Sequence, residues 1–325
     1  MPDRRKLTQT SPPGRLVVTM VVALIWCLTF LICGSSGVVF QRLYQAYRLE
    51  REGGRNALAA APYQALGQRP ASQGGKAAII IDDLGLDLGV ARRFWELEIP
   101  VTLAILPYQK DSRAIAREAA QHGTEVLLHV PLQPREYPVV NPGAGALLLS
   151  MGREEIQAEI AAQLDSLPSC VGVHSHMGSL FTEQEEPMGW VLSVVGERRL
   201  FFVDSLTTPD SVARGVARGV GVPFVQRTHF LDVGKTEASI IRQLLRLVDT
   251  AIQEGGAIGV AHPSEETLAA LSKVVAAFVE KRVRIVPVSE MVSLCQGSGS
   301  GAQESGPDPL PPIPDPSQME AEARE

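Results

Sequence analysis

This chain of 325 residues is short of several things, and each shortage removes a class of explanation. Aromatic residues make up 5% of it and cysteines number four. Cys27 and Cys33 lie in one apolar run, which leaves Cys170 and Cys295 without metal-type spacing. Neither a disulfide scaffold nor a thiolate zinc module is therefore indicated. Cys170 precedes a strand pattern and reads as a small core residue, and nothing requires it to pair with Cys295. The formal net charge is −6 and no basic tract occurs outside the N-terminus, which argues against a nucleic-acid partner. A G-x-S-x-G elbow is absent: around Ser175 stand Gly172, Val173, His174, His176, Met177 and Gly178, so serine-hydrolase chemistry lacks its main motif. Pro142-Gly143-Ala144-Gly145-Ala146 is glycine-rich but has neither the Lys nor the Ser/Thr of a P-loop, and reads as a plain loop.

Long apolar runs are missing too, with one exception. Residues 16–40 carry no charge and are long enough to cross a bilayer core of ~30 Å at ~1.5 Å per residue. Arg4, Arg5, Lys6 and Arg15 precede that run against Asp3 alone. Residues 1–15 are therefore expected in the cytoplasm and the bulk of the chain on the extracytoplasmic, periplasmic side. Gly34-Ser35-Ser36-Gly37 would suit a cleaved signal, yet the run exceeds a typical signal core of ~7–15 residues, so a transmembrane anchor is the preferred reading. Bulky Ile32 disfavours a lipid on Cys33. Residues 41–75 open with Leu43, Tyr44, Tyr47 and Leu49 at helical spacing and continue in Ala, Gly, Pro and Gln, which reads as a juxtamembrane helix and a linker. Residues 295–325 are rich in Gly, Ser, Pro and Glu and are expected to be disordered.

What remains, residues 76–294, suits one domain of roughly 200 to 220 residues, and an apolar content of 45% allows a sizeable core. Ala77 to Ile81 is an uninterrupted, largely β-branched run, the mark of a strand buried on both faces. Further strand patterns occupy residues 101–106, 125–130, 170–174, 200–204, 223–225, 257–261 and 284–287. Helical patterns fall between most of them, at 88–97, 112–122, 153–167, 188–195, 211–218, 238–254 and 265–281. Such alternation predicts an α/β fold with a parallel sheet, open or closed into a barrel, whose site lies at the C-terminal ends of the strands.

The polar residues obey that rule. Asp82 and Asp83 end the first strand, with successive side chains expected on opposite faces. The bland alternative makes one of them the cap of the helix beginning near Leu86 and the other a surface turn. His129 ends the third strand, His174 and His176 the fourth and Asp204 the fifth, while His262 follows the 257–261 strand. Four of six histidines at one sheet edge point to a shared pocket. Imidazole and carboxylate together suit zinc or another divalent ion, for which three protein ligands and one open position make a catalytic site. His174 and His176, two apart on an extended backbone, face the same side and can both reach it. His122 reads as a helix C-terminal residue placed against the dipole, and His229 falls in a loop without an assigned role.

Eight short motifs in order give these residues a family resemblance. They are Ile80-Ile81-Asp82-Asp83-Leu84-Gly85, Pro100 to Pro107, Glu125 to Pro131, and His176-Met177-Gly178-Ser179. Phe202-Val203-Asp204-Ser205, Phe230-Leu231-Asp232, Gly259 to Pro263 and Val286 to Glu290 complete the set. The segment from about Lys76 to Leu294 resembles the divergent polysaccharide deacetylases, a branch of the NodB-like carbohydrate deacetylases. The resemblance implies a distorted (β/α) barrel and a divalent-metal site, with Asp82 as base, Asp83 and His129 as ligands, and His262 assisting the leaving group. Gln133 stands where related deacetylases carry a second histidine four residues after the first, so the third ligand implied is His176. The chain departs from the family pattern at His174-Ser175 (usually Asn-Asn), Leu132-Gln133-Pro134 (usually Met-Glu-Pro), Arg227-Thr228 (usually Arg-Asp) and Val233 (usually Asn). Asp204 is expected to orient a histidine, and His174, Gln133, Arg227 and Ser179 to support the centre or touch substrate.

The implied activity is removal of N- or O-acetyl groups from a cell-envelope polysaccharide or peptidoglycan, using Zn²⁺ or another divalent ion. A catalytically silent module that binds envelope glycan or a protein through the same pocket is the alternative. A metal hydrolase acting on another ester or amide comes third.

Overall fold

The computed structural model describes residues 74–297. The apolar run at 16–40, nearly all of the expected linker and the chain beyond residue 297 lie outside the described residues. Among the described residues no helix is long and apolar enough to cross a membrane.

Among the described residues nine strands form one parallel sheet. In chain order they are β1 (Lys76–Leu84), β2 (Thr102–Ile105), β3 (Glu125–Leu132), β4 (Gly172–Met177), β5 (Phe201–Asp204), β6 (Phe224–Gln226), β7 (His229–Phe230), β8 (Gly256–Ala261) and β9 (Arg284–Ile285). Their spatial order is β6-β5-β4-β3-β2-β1-β8-β7, with β9 wedged against the start of β1. Ala77, Ala78, Ile79, Ile80 and Ile81 are fully buried, as an apolar run at the middle of a two-sided sheet should be.

Eight helices cover the sheet among the described residues. They are α1 (Leu88–Trp95), α2 (Ser112–Gln121), α3 (Arg153–Ser166), α4 (Glu185–Glu197), α5 (Ala213–Val220), α6 (Glu237–Glu254), α7 (Glu265–Glu280) and α8 (Val288–Gly297). Helix α6 shows why these segments are helical. Thr236 caps its start by accepting a bond from the Ser239 N–H at 3.2 Å, and Gly255 ends it in the left-handed conformation. Ile240, Leu244, Leu247, Val248 and Ala251 form the buried stripe between those ends. Truncating Leu244 to Ala would cost about 2–5 kcal/mol.

The expected barrel is present as a curled, half-barrel sheet whose strand ladder is open between β6 and β7. One continuous segment bridges that seam. The Arg227 N–H donates to the Asp204 carbonyl at 2.9 Å, and the next residue, Thr228, donates to Ile258 on β8 at 2.8 Å. Three elements went unforeseen: a 3-10 turn at Phe181–Glu183; β7, which with two residues is too short to show alternation; and α8, which runs to residue 297, so the segment expected to be disordered from 295 begins as helix.

Backbone strain is sorted by position. Among the described residues seven non-glycine residues have positive φ. Glu98, Arg199 and Arg282 follow the ends of α1, α4 and α7, where a left-handed residue closes a helix. Asp83, Tyr108, Met177 and Leu206 instead lie at or just beyond the C-terminal ends of β1, β2, β4 and β5.

Candidate metal centre

The first strand does not end in simple alternation. Ile81 pairs with Leu103 and Leu84 with Ile105, so two residues, Asp82 and Asp83, stand opposite one on β2. This is a β-bulge, and Asp83 occupies it in the left-handed conformation with φ 54°. The expectation of opposite faces is thereby corrected: the extra residue turns both carboxylates towards His129. Its Nε2 lies 3.6 Å from Asp82 Oδ2 and 3.3 Å from Asp83 Oδ1. The cap of α1 is supplied by Asp87, which accepts from the Val90 N–H at 3.1 Å, so neither member of the pair is spent on the helix.

Backbone carbonyls fix two of the imidazoles. His129 Nδ1 faces the His174 carbonyl at 3.3 Å and His174 Nδ1 faces the Val203 carbonyl at 3.1 Å. A carbonyl can only accept, so each Nδ1 carries the proton and each Nε2 is turned into the pocket. His174 Nε2 reaches Asp82 at 3.2 Å, and His176 Nδ1 lies 3.0 Å from Asp83 Oδ1 and 3.2 Å from His129 Nε2.

Among the described residues two groupings could hold an ion, Asp82 with His129 and His174, or Asp83 with His129 and His176. Ring orientation separates them. His129 and His174 are stacked, planes 18° apart and centroids 5.0 Å apart. Ring lone pairs lie in the ring plane, so two rings in nearly parallel planes converge on one ion less readily than two that cross. His129 and His176 meet edge to face at 68°, which lets their lone pairs converge. The Asp83 triad also has donor atoms 3.0, 3.2 and 3.3 Å apart, against about 3.3 Å for ligands on a tetrahedral ion with bonds of ~2.0–2.1 Å. Asp83 Oδ1 and Asp82 Oδ1 are buried against imidazole nitrogens without a well-formed hydrogen bond, the condition a cation would relieve. The donor set therefore fits a divalent metal.

Charge follows from the same geometry. Burial pushes the Asp83 carboxyl up, but His129 and His176 outweigh it and hold the group far below the usual carboxylate range. Burial likewise opposes ionisation of Asp82, and His174 and His129 prevail. His129 is pushed down, mainly by burial, and stays neutral with its lone pair free; His174 is raised, because Asp82 overcomes the burial penalty.

On the far side of Asp83 stands His262. Its Nε2 is 3.7 Å from Asp83 Oδ2, while its Nδ1 and its backbone N–H both address Asp232 Oδ2, at 3.0 and 2.7 Å. The Asp232 bond raises the imidazole to about 9 against the opposing effect of burial, so it is an imidazolium at neutral pH. Sequence reasoning gave Asp232 no role. Its signal was its place directly after Phe230-Leu231 at another strand end.

All of these strand ends lie within a segment that matches a known family. The family model described as divergent polysaccharide deacetylase matches residues 79–292. The chain belongs to that family. An uncharacterized protein of Escherichia coli K12, YibQ, is 32% identical over 226 residues, 68% of each chain. A second uncharacterized protein, from Haemophilus influenzae Rd, is 32% identical over 196 residues, covering 60% of this chain and 69% of that one. The crystal structure of an uncharacterized protein from Agrobacterium tumefaciens C58 aligns with a TM-score of 0.65 at 28% identity, over 71% of this chain and 94% of the other.

In this deacetylase-family domain the remaining expected residues divide their work unevenly. Asp204 was expected to orient a histidine. Its oxygens instead accept from the Leu206 N–H at 2.8 Å and from the hydroxyls of Ser211 at 2.7 Å and Ser175 at 3.4 Å, so it fastens the loop after β5. Backbone and Asp82 orient the nearby His174. Gln133 Oε1 accepts from the Leu149 N–H at 2.8 Å and pins the loop that follows β3. Ser179 Oγ accepts from the Arg135 N–H at 3.1 Å. Arg227 donates to two carbonyls beyond β5. His122 stacks on Trp95 at the surface, and His229 opens β7 with Nε2 3.3 Å from the Thr250 hydroxyl.

Proposed function

We propose that this domain is a metal-dependent hydrolase that removes N- or O-acetyl groups from an envelope polysaccharide. The observation that carries the reading is the flanking of the Asp83, His129 and His176 donors by a buried carboxylate, Asp82, and by the Asp232-held imidazolium of His262. Asp83, His129 and His176 are the proposed ligands of Zn²⁺ or another divalent ion. Such an ion, when bound, polarises the acetyl carbonyl and acidifies a water molecule.

The chain's own groups supply the proton transfers. Asp82, kept ionised and held by His174, accepts a proton from the attacking water. His262 gives its proton to the departing sugar nitrogen or oxygen, and Asp232 keeps that ring charged and aimed. The buried pair Asp82 and His174 leaves the base without conformational freedom. The apolar run and its flanking charges support placing the domain outside the cytoplasm, where an envelope glycan is met.

Acetate release from acetylated peptidoglycan fragments and N-acetylglucosamine oligomers tests the reading, with metal content measured on the same sample. Release by the parent and loss of at least 100-fold in D82N are expected. A parent that binds one metal and releases no acetate from either substrate would turn the reading to a module that binds glycan without turnover.

A further inference from the structure

His176 stands where the strand ladder gives out on one side. On the β3 side it is still paired, Pro131 with His176 and Leu132 with Met177. Pairing of β4 with β5 stops at His174 and Val203. From there residues 205–207 take over with side chains. The Ser205 hydroxyl donates to the Ser175 carbonyl at 2.7 Å, and the Thr207 hydroxyl donates to the Met177 carbonyl at 2.8 Å. The carbonyls of the two neighbours of His176, Ser175 and Met177, are thus held from one short segment, and Met177 itself is left-handed with φ 55°. A strained residue next to a candidate ligand keeps its conformation only if its surroundings impose it.

The segment that imposes it is strained as well, since Leu206 has φ 48°. That turn brings the carbonyls of residues 205 and 206 towards one guanidinium. Arg227 Nε donates to Ser205 O at 2.6 Å and Nη2 to Leu206 O at 2.9 Å, while the plane lies over Phe230, 3.7 Å from the ring centroid. Burial pushes this arginine down to about 10. A planar fork bonds two fixed carbonyls at once, which an ammonium on a flexible stem does not do equally well.

We propose that Arg227 is a positioning residue for His176: its guanidinium fixes residues 205–207, which in turn hold the backbone that aims the His176 ring. The inference rests on His176 being a metal ligand. It assigns Arg227 to the loop and not to the substrate.

Cobalt(II) affinity, measured by competition with a chelator and by the visible absorption of the bound ion, is the test. R227K and T207V are each expected to bind Co²⁺ about 10- to 100-fold more weakly than the parent, with an altered spectrum, while far-UV circular dichroism is unchanged. Because both act through the same segment, the double variant should be much less than the product of the single losses. Affinity within twofold of the parent in R227K overturns the proposal. So does a raised KM with unchanged Co²⁺ binding, which would make Arg227 a substrate contact. If R227K does not fold, T207V removes one hydroxyl at the middle of the chain of contacts, and unchanged affinity there is equally decisive. A parent that binds Co²⁺ but releases no acetate would sink the hydrolase reading and leave this one standing.

Discussion

The two ends of the same sheet are built on opposite terms. At the base, polar groups are matched. Thr102 Oγ1 donates to Glu125 at 3.0 Å and accepts from the Val288 N–H at 3.1 Å, Glu125 also accepts from the Ser289 N–H, and Lys76 pairs with Glu290 at 3.0 Å. Those bonds seat α8 under β1 and β2. At the other end, two buried carboxylate oxygens lack a well-formed hydrogen bond, imidazole nitrogens face one another at 3.2 Å, and four non-glycine residues take left-handed conformations. Matched groups close a fold, whereas unmatched lone pairs held by a strained backbone leave a place for a guest. The contrast follows the expectation that strain and unsatisfied polarity gather at functional sites.

The comparison breaks most visibly if the upper end is disarmed. Asn tolerates the left-handed region, so D83N should keep the bulge while removing one ligand charge. Bound metal is expected to fall from about one per chain to under a tenth, by mass spectrometry of the dialysed protein, with little change in fold. Retention of full metal content would show that the ligands are others. The converse change is T102V at the base. It leaves the buried Val288 N–H without an acceptor and should cost about 1–3 kcal/mol in urea unfolding, with Co²⁺ affinity unaltered.

A smaller effect concerns protons at the upper end. His262 is raised to about 9, so the stability its imidazolium contributes is fully present below the unfolded value of about 6.5 and is lost as pH rises through about 9. In metal-free D232N the chief cause is gone, and the His262 titration followed by NMR should move to lower pH. A midpoint unchanged from the parent would remove Asp232 from its assigned role. The smallest effect lies at the base again. Burial pushes the Cys170 thiol up to about 11, so iodoacetamide at pH 8, read at the Cys170 peptide by mass spectrometry, should label it far more slowly in folded protein than in urea.

Much of this was legible in the chain itself. An apolar run ending in Asp82-Asp83, and histidines ending three other strands, place the chemistry at one sheet edge by periodicity alone. The bulge was not legible, because period-two alternation predicts opposite faces for adjacent residues and says nothing of an added residue in the ladder. Asp232 stood in a family motif without a role, because β7 is two residues long and has no pattern to end. Asp204 was given a histidine to hold because it ends a strand beside the others, yet hydroxyls of Ser175 and Ser211 and the Leu206 N–H were nearer.

The sequence by itself determined the class of fold, the edge on which the polar residues gather, and which residue types would meet there. These depend on local periodicity and on chain order, which are properties of one dimension. Only the tertiary structure decided which carboxylate joins which imidazoles. That choice rests on ring planes 18° or 68° apart, on one added residue in a strand, and on a guanidinium from the β6–β7 seam reaching the loop beyond β5. Such angles and contacts join residues far apart in the chain, and spacing along it carries no record of them.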